Sequence, residues 1–399
     1  MATIFSLYRN AFLNLQRNTW ILSIAMFINR CGSMVLLFTS LYLTNDLHFT
    51  IGQAGIVMSF YGIGSILGSY AGGWLTDRKN YFDIMIFSLI SSGLILLLML
   101  LVNSMAAISV VIFLYAFAAD MFRPANSAAI AAYSTPANRT RSVSLVRLAI
   151  NLGFSVGPAA GGFIALLLGY RWLFVIDTIT SFAAAYMLYV YLPEKQIIKE
   201  QHDNRVLNDS STSAYRDYKY LFFILLVAMY GTCFFQLFAS VPQFFSKVCH
   251  YNEDTIGLLL ALNGFAVVLI EMPLVASLEK KTKIFPFIIA GTLCLPAAFG
   301  ILIFGEGMIF ISILYTLVIT FSEILAMPFM MNYVLSRPLK ERQGQYSALS
   351  SISYGIANVA APLVGLGIAD RYGFKAMFIF LISLSILVAA GFSWLGKKQ

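Results

Sequence analysis

Apolar residues run along the chain in long blocks separated by short polar breaks. Twelve blocks can be marked, at about 19–44, 51–75, 83–103, 107–133, 142–168, 171–192, 219–245, 255–278, 284–304, 308–335, 345–368 and 374–395. About twenty apolar residues in an α-helix cross the hydrocarbon core of a bilayer. In lipid each backbone polar group must be satisfied within its own segment, so the blocks are predicted to be helices. The pattern predicts an all-α membrane protein with twelve transmembrane helices. A soluble helical protein would lack the water-facing surface that so many apolar helices leave uncovered.

Two polar stretches frame these blocks. Residues 1–18 read as an amphipathic interfacial helix, with Ile4, Phe5, Tyr8, Phe12 and Leu15 on one broad face and Arg9 and Arg17 reaching headgroups. No cleavable signal-peptide pattern is visible there. Residues 193–219 are the only long hydrophilic run and read as a linker. The expected organisation is an N-terminal six-helix half at 1–192, a cytoplasmic linker at 193–219 and a C-terminal six-helix half at 220–399.

The halves look like copies of one another. A shift of 204 residues superposes Pro124 on Pro328, Pro158 on Pro362, Gly161 on Gly365 and Phe174 on Phe378. A shift of 205 carries Thr-Ile-Gly at Thr50 onto Thr-Ile-Gly at Thr255. Parallel repeats of this kind place a substrate site near the bilayer midplane where the repeats meet. Small residues at four-residue spacing, Gly64, Gly68 and Gly72 in the second block and Gly153, Gly157 and Gly161 in the fifth, mark close helix approaches.

Composition sharpens the class. Hydrophobic residues make up 59% of the 399 and charged residues only 11%, against about 25% charged in soluble domains. The net charge is +8, and its placement is informative. Of the 26 Lys and Arg residues, only Arg171, Lys247, Arg371 and Lys375 fall in loops on the side away from the amino terminus. Arg30, Arg123 and Arg147 lie inside apolar blocks, and all others lie on the amino-terminal side. The positive-inside rule then puts both termini in the cytoplasm of a cell inner membrane protein. Charge scattered over loops argues against a nucleic-acid partner. The four cysteines and three histidines show no metal spacing, so no metal site is expected.

Two motifs resemble the major facilitator superfamily, specifically its drug/proton antiporter-like members. "GGWLTDRKNY" is similar to the family's loop between helices 2 and 3, with Gly73, Leu75, Asp77 and Arg78 matching. Asn80 stands where a second glycine is usual, and Tyr81 where a basic residue is usual. "GFSVGPAAGG" is similar to the antiporter signature of helix 5, and Gly153, Gly157, Pro158, Gly161 and Gly162 all match. The resemblance implies two six-helix halves, alternating access, a gating role for the loop charges, and export. It also implies an arginine early in helix 4, where this chain has Tyr115 and Ala116.

Ionisable residues within apolar blocks mark a polar cavity or a partner. Arg30, Asp120 and Glu323 are central in their blocks; Arg123, Arg147 and Glu271 lie nearer the cytoplasmic ends. Asp177 reads as a helix-end or outer-gate charge. Asp120 and Arg123, three apart, can form an internal ion pair. Glu323, just before Pro328, is the first candidate for proton coupling, and Asp120 the second. The alternative for Glu323 is a structural hydrogen bond between helices. Arg30 holds its proton too tightly to exchange it, so it either pairs with a carboxylate or anchors an anionic group of the cargo. Asn29, Gln53, Gln236, Asn263, Asn332 and Asn358 are candidates for a polar cavity lining.

The expected function is secondary active transport without a cofactor, most simply proton-coupled export of small amphipathic molecules or drugs, with the proton gradient as energy source. The alternative is transport of a defined anionic metabolite, such as a carboxylate or a metal chelator of siderophore type. A non-transporting membrane receptor is a third reading, and no nucleophile–base or metal constellation suggests an enzyme. The expected partners are a small-molecule substrate, protons and the lipid bilayer, and the chain is expected to act as a monomer.

Overall fold

The computed structural model describes residues 15–32, 34–76, 78–134, 139–192, 214–278, 284–305, 307–337 and 343–397. Among these residues the regular structure is entirely helical. The helices are α1 (Arg17–Asn45), α2 (Ile51–Thr76), α3 (Tyr81–Leu97), α4 (Met105–Ile130), α5 (Arg139–Leu168), α6 (Arg171–Tyr191), α7 (Tyr218–Lys247), α8 (Glu253–Leu278), α9 (Phe285–Phe304) and α10 (Ile309–Ser336). Gln343–Lys397 is continuous in hydrogen bonding but turns at Gly373, where φ is 83°. That turn separates α11 (343–372) from α12 (374–397). Each of the twelve apolar blocks thus carries a helix.

Side-chain exposure agrees with lipid as the solvent. Leu101 is 78% exposed and Phe304 91%, while Tyr42, Tyr220, Phe223 and Phe299 are buried. In water such bare apolar faces would invite association. The chain is a multi-pass membrane protein. Of the linker read from the sequence, residues 193–213 lie outside the described residues, as do residues 1–14 of the amphipathic segment. Ala214–Arg216 form one 3-10 turn, and α7 already begins at Tyr218.

Contacts divide the chain into two compact units. The first comprises Met1–Leu36 and Ile63–Glu200, the second Leu37–Gly62 and Gln201–Gln399. In the first, α1 packs on α5 and α6, and α3 on α4 and α6. Gly64, Gly68 and Gly72 of α2 lie against the α4 backbone at Phe113, Phe117 and Met121. A side chain at any of the three would collide with that backbone, so the glycine ridge sets the α2–α4 approach. Tyr81 and Tyr133, both fully buried, meet edge to face at 6.0 Å.

In the second unit α9 packs on α10 and α12, α7 on α11 and α12, and α8 on α10. The ends of α1 and α2 belong here as well. Gln243 of α7, fully buried, donates to the Ser40 carbonyl at 2.6 Å and to Thr44 at 2.9 Å. Lys247 donates to Asn45 at 2.8 Å. On α2, Gly52 lies against Asp370 and Gly55 against the Pro362 carbonyl of α11.

The repeat seen in the sequence is also a repeat of turns. Among the described residues, His48 and His250 are the two non-glycine residues with positive φ, 57° and 54°. The amides of Leu47 and Phe49 bond the carbonyls of Tyr42 and Leu43, and those of Cys249 and Tyr251 bond Phe244 and Phe245 in the same way. Gly169 and Gly373, related by the shift of 204, turn α5 into α6 and α11 into α12 with φ of 90° and 83°. Both need a residue that tolerates the left-handed region.

Candidate functional site

Within the first unit, the intramembrane charges lie on α1, α4, α5 and α6. Asp177 is only 1% exposed, because the second turn of α6 faces α1 and α4. Its Oδ2 accepts a hydrogen bond from the Tyr115 hydroxyl at 3.0 Å, and Oδ1 one from Ser181 at 3.4 Å. Arg30 of α1 acts on the carboxylate electrostatically. Gly32 brings the α1 backbone against Asp177 and Thr180, and Asn29 donates to Ser181 at 3.5 Å. Asp177 is therefore not the helix-end charge that its sequence position suggested. The signal available in the sequence was an acid inside an apolar run; Ser181 lies one turn on in the same helix, but Tyr115 and Arg30 come from two other helices and could not be read from spacing.

Arg30 also lies over the Phe154 ring, 5.7 Å from its centroid, a cation–π contact that helps hold a guanidinium out of water. The helix-5 glycines explain how α1 comes so near. A Cβ at Gly153 would fall 2.5 Å from the Arg30 Cβ, and Gly157 and Gly161 lie against the Cys31 carbonyl and the Met34 side chain. Pro158 sits within α5, and Gly162 is buried beside Gly161. The antiporter-like motif and the arginine of α1 are one feature: the motif is the seat on which Arg30 rests.

Asp120 and Arg123 form an ion pair at 2.9 Å, with the carboxylate 4% and the guanidinium 56% exposed. Asp120 ends the first stretch of α4, where the helix loosens at Met121. Arg147 is exposed, and Glu271 is half-buried. Gly73 lies near Pro124, with its Cβ position 4.0 Å away. Asp77 lies outside the described residues. Arg78 stacks over Trp74 at 3.8 Å.

The two departures from the loop motif have structural uses. Asn80 caps α3 by accepting from the Phe82 amide at 3.1 Å, as short polar residues do. Tyr81 is the buried core ring already described.

Within the second unit, Glu323 of α10 is half-buried and accepts a hydrogen bond from Asn263 of α8 at 3.1 Å. Asn263 is 5% exposed and also donates to Thr320 at 2.9 Å. Tyr230 and Tyr354 lie within electrostatic reach of Glu323, and Tyr230 is bonded to Ser322 at 3.0 Å. Asn332 and Asn358 are half-buried on α10 and α11. Gln236 is fully buried and donates to the carbonyls of Thr232 and Ala361, at 3.1 and 2.9 Å. It ties α7 to α11 rather than lining open space. Gln53 is likewise committed, since it and Thr50 bond each other's amides at 2.9 and 3.2 Å in a capping box at the start of α2.

A further cluster closes one end of this unit. Asp217, the N-cap of α7, accepts from the Tyr220 amide at 3.1 Å. Arg337 grips both of its oxygens, at 2.7 and 2.8 Å, and Tyr346 adds a third bond at 3.0 Å. Burial opposes the charge on Asp217, but the Arg337 bonds, the Tyr220 amide and the Tyr346 hydroxyl together hold its carboxyl below the usual carboxylate range. The bond to Asp217 raises Arg337 in turn, against the pull of burial. Nothing in the sequence links 217, 337 and 346; the loop ends that carry them meet only in three dimensions.

The family model described as Major Facilitator Superfamily matches residues 22–362. The chain is 24% identical over 386 residues to YttB, an uncharacterized MFS-type transporter of Bacillus subtilis (strain 168), covering 93% of each chain. It is 24% identical over 368 residues to Multidrug resistance protein 2 of the same organism, covering 88% of this chain and 89% of the relative. Among solved structures, a POT family transporter in complex with 5-aminolevulinic acid superposes with a TM-score of 0.81 at 12% identity, over 95% and 96% of the two chains. The nucleoside transporter NupG superposes with a TM-score of 0.78 at 14% identity, over 95% and 99%. With its twelve helices, its repeated halves and a family match across most of its length, the chain belongs to the Major Facilitator Superfamily and is a membrane transporter, not an enzyme.

Proposed function

We propose that this transporter uses a proton gradient to export small amphipathic molecules by alternating access. The observation that carries the reading is Glu323, a half-buried carboxylate inside α10, bonded by Asn263 and neighboured by Tyr230 and Tyr354. A carboxylate in a membrane span can exchange a proton as access changes. Asp120 is the second candidate, although its pairing with Arg123 gives it a structural use as well. The relative named as a multidrug resistance protein supports the same direction and cargo class.

The distribution of Lys and Arg supports a cell inner membrane location with both termini in the cytoplasm. A monomer without a cofactor is sufficient for this chemistry. An anionic metabolite as cargo is supported by Arg30, whose guanidinium lies over the Phe154 ring and within electrostatic reach of Asp177.

The test is transport in proteoliposomes with an imposed pH gradient, using ethidium as a lipophilic cation and citrate as an organic acid. The expected result is pH-driven ethidium movement that Glu323→Gln abolishes while the variant stays folded. Coupling that persists in Glu323→Gln removes the assignment of Glu323, and citrate movement without ethidium movement removes the cargo class.

A further inference from the structure

We infer that the ends of α1, α3 and α6 form a binding site for one anionic phospholipid, with Arg17 holding its phosphate. The inference concerns the lipid around the transporter and is independent of cargo, of Glu323 and of the coupling ion.

Three observations carry it. First, the three helix ends leave a cleft of about 630 Å³ between them, a size within the range of about 300–1,000 Å³ that small-molecule sites occupy. Arg17 and Asn18 open α1, Phe82 lies in the first turn of α3, and Tyr189 and Tyr191 end α6 with Leu192 as its cap. Successive spans alternate in direction, so α1 and α3 begin, and α6 ends, on one face of the membrane. Secondly, the charge in the cleft is one-sided. Among the described residues Arg17 is the one charged side chain of the lining, and no carboxylate pairs with it. The first turn of α1 has no acidic residue, and Asp83, next to Phe82, is exposed and does not line the cleft. Thirdly, the cleft continues into apolar faces suited to acyl chains. Phe82 and Leu192 are buried at the cleft. Trp20 and Ile24, one and two turns into the membrane from Arg17, are exposed on α1, and Tyr186 and Val190 are exposed on α6.

Each property selects one part of the same ligand. A guanidinium without a counter-charge at the membrane face takes a phosphate, and basic clefts between membrane helices hold anionic headgroups for this reason. Asn18 and the two tyrosines supply uncharged donors for ester and glycerol oxygens, and tyrosine rings favour the boundary between headgroup and chain. The exposed rows on α1 and α6 then receive the chains. A zwitterionic headgroup fits less well, because its ammonium finds no carboxylate in the lining. Free phosphate would leave the apolar rows unused.

The experiment is tryptophan quenching in liposomes by brominated phosphatidylglycerol and by brominated phosphatidylcholine. It uses the full-length protein with Trp74, Trp172 and Trp394 changed to Phe, so that Trp20, one turn from Arg17, reports alone. Phosphatidylglycerol is expected to be preferred about fivefold, as one arginine at an anionic surface gives. Arg17→Gln is expected to abolish the preference and Arg17→Lys to keep most of it. Arg216→Gln removes an equal charge from the same face of the membrane and is expected to leave the preference unchanged. Where the tryptophan replacements disturb folding, native mass spectrometry of the protein with all four tryptophans checks the same point, since Arg17→Gln must lose a retained phosphatidylglycerol. Equal quenching by the two lipids, or a preference that survives Arg17→Gln, overturns the inference. An equal loss in Arg216→Gln also overturns it, because diffuse charge would then be the cause. Trp20 shielded from both lipids alike overturns it in favour of a protein occupant of the cleft.

Discussion

The two units each hold a carboxylate inside a membrane span and surround it differently. In the first, Asp177 of α6 is 1% exposed and accepts from Tyr115 of α4 and from Ser181 of its own helix; in the second, Glu323 of α10 is half-buried and accepts from Asn263 of α8. Under the shift of 204 that matches Phe174 to Phe378 and Pro124 to Pro328, the two positions become Leu381 and Ala119, so neither carboxylate has a counterpart in the other repeat. A duplicated scaffold that is apolar at a given site in one copy does not require charge there in the other.

The sharpest way to break this comparison is to give the first unit the second unit's residue. Asp177→Leu takes the buried acceptor from Tyr115 and Ser181 and is expected to cost about 1–3 kcal/mol for each donor it leaves unpaired. Thermal unfolding in detergent, read beside ethidium transport, checks it. A variant as stable as the native protein would mean that these bonds contribute nothing to the fold.

Asp217→Ala comes next, at the end cluster of the second unit. It leaves Arg337 without its bidentate partner, and a loss of about 3 kcal/mol is expected. The pH dependence has a definite sign. The folded carboxyl sits below its unfolded value, so its contribution is complete above about pH 4. It disappears as pH falls through the lowered folded value. Arg337 is raised when folded, so its contribution is present throughout the neutral range and is lost only in strong alkali. Melting temperature should therefore be flat in this cluster near neutrality. Its acid fall should be shallower in Asp217→Ala than in the native protein.

Much of this architecture is legible from the chain. Helix positions follow from block length alone, since in lipid an apolar run has no other structure open to it. The repeat is legible because proline and glycine are restricted to places where backbone geometry needs them, which is why Pro158 and Pro362 survive as markers. What stays hidden is partnership between helices. The sequence places Arg30 and Asp177 in apolar runs nearly 150 residues apart, and nothing in either run orients one toward the other. Asn80 and Tyr81 teach the same lesson on a smaller scale. They look like defects in a loop motif until Asn80 is seen to cap α3 and Tyr81 to fill the core.

The glycine seat offers a milder test. Under the shift of 204, Gly153 and Gly157 become Ala357 and Ala361, so the second unit tolerates a methyl group where the first has none. Ala357 already touches the Cβ position of Gly231 on α7. Gly153→Ala introduces a Cβ 2.5 Å from that of Arg30, and a cost of about 1–3 kcal/mol is expected. Ala357→Gly, which only removes a methyl group, is expected to cost about 1 kcal/mol. Equal costs would show that the two seats are packed alike.

The smallest effect is expected at Asn80, and it bears on how a departure from a family pattern should be read. Asn80→Gly restores the residue that the loop motif leads one to expect. It removes the side-chain acceptor of the Phe82 amide, but glycine is itself an acceptable N-cap, and the loss should be only a few tenths of a kcal/mol. Asn80→Ala removes the acceptor without that compensation and should cost about 1 kcal/mol. If the asparagine serves only as a cap, the two variants differ in melting temperature and transport at the same rate. A change in transport rate at unchanged stability would assign this position to the gating of the loop, where the motif's glycine belongs.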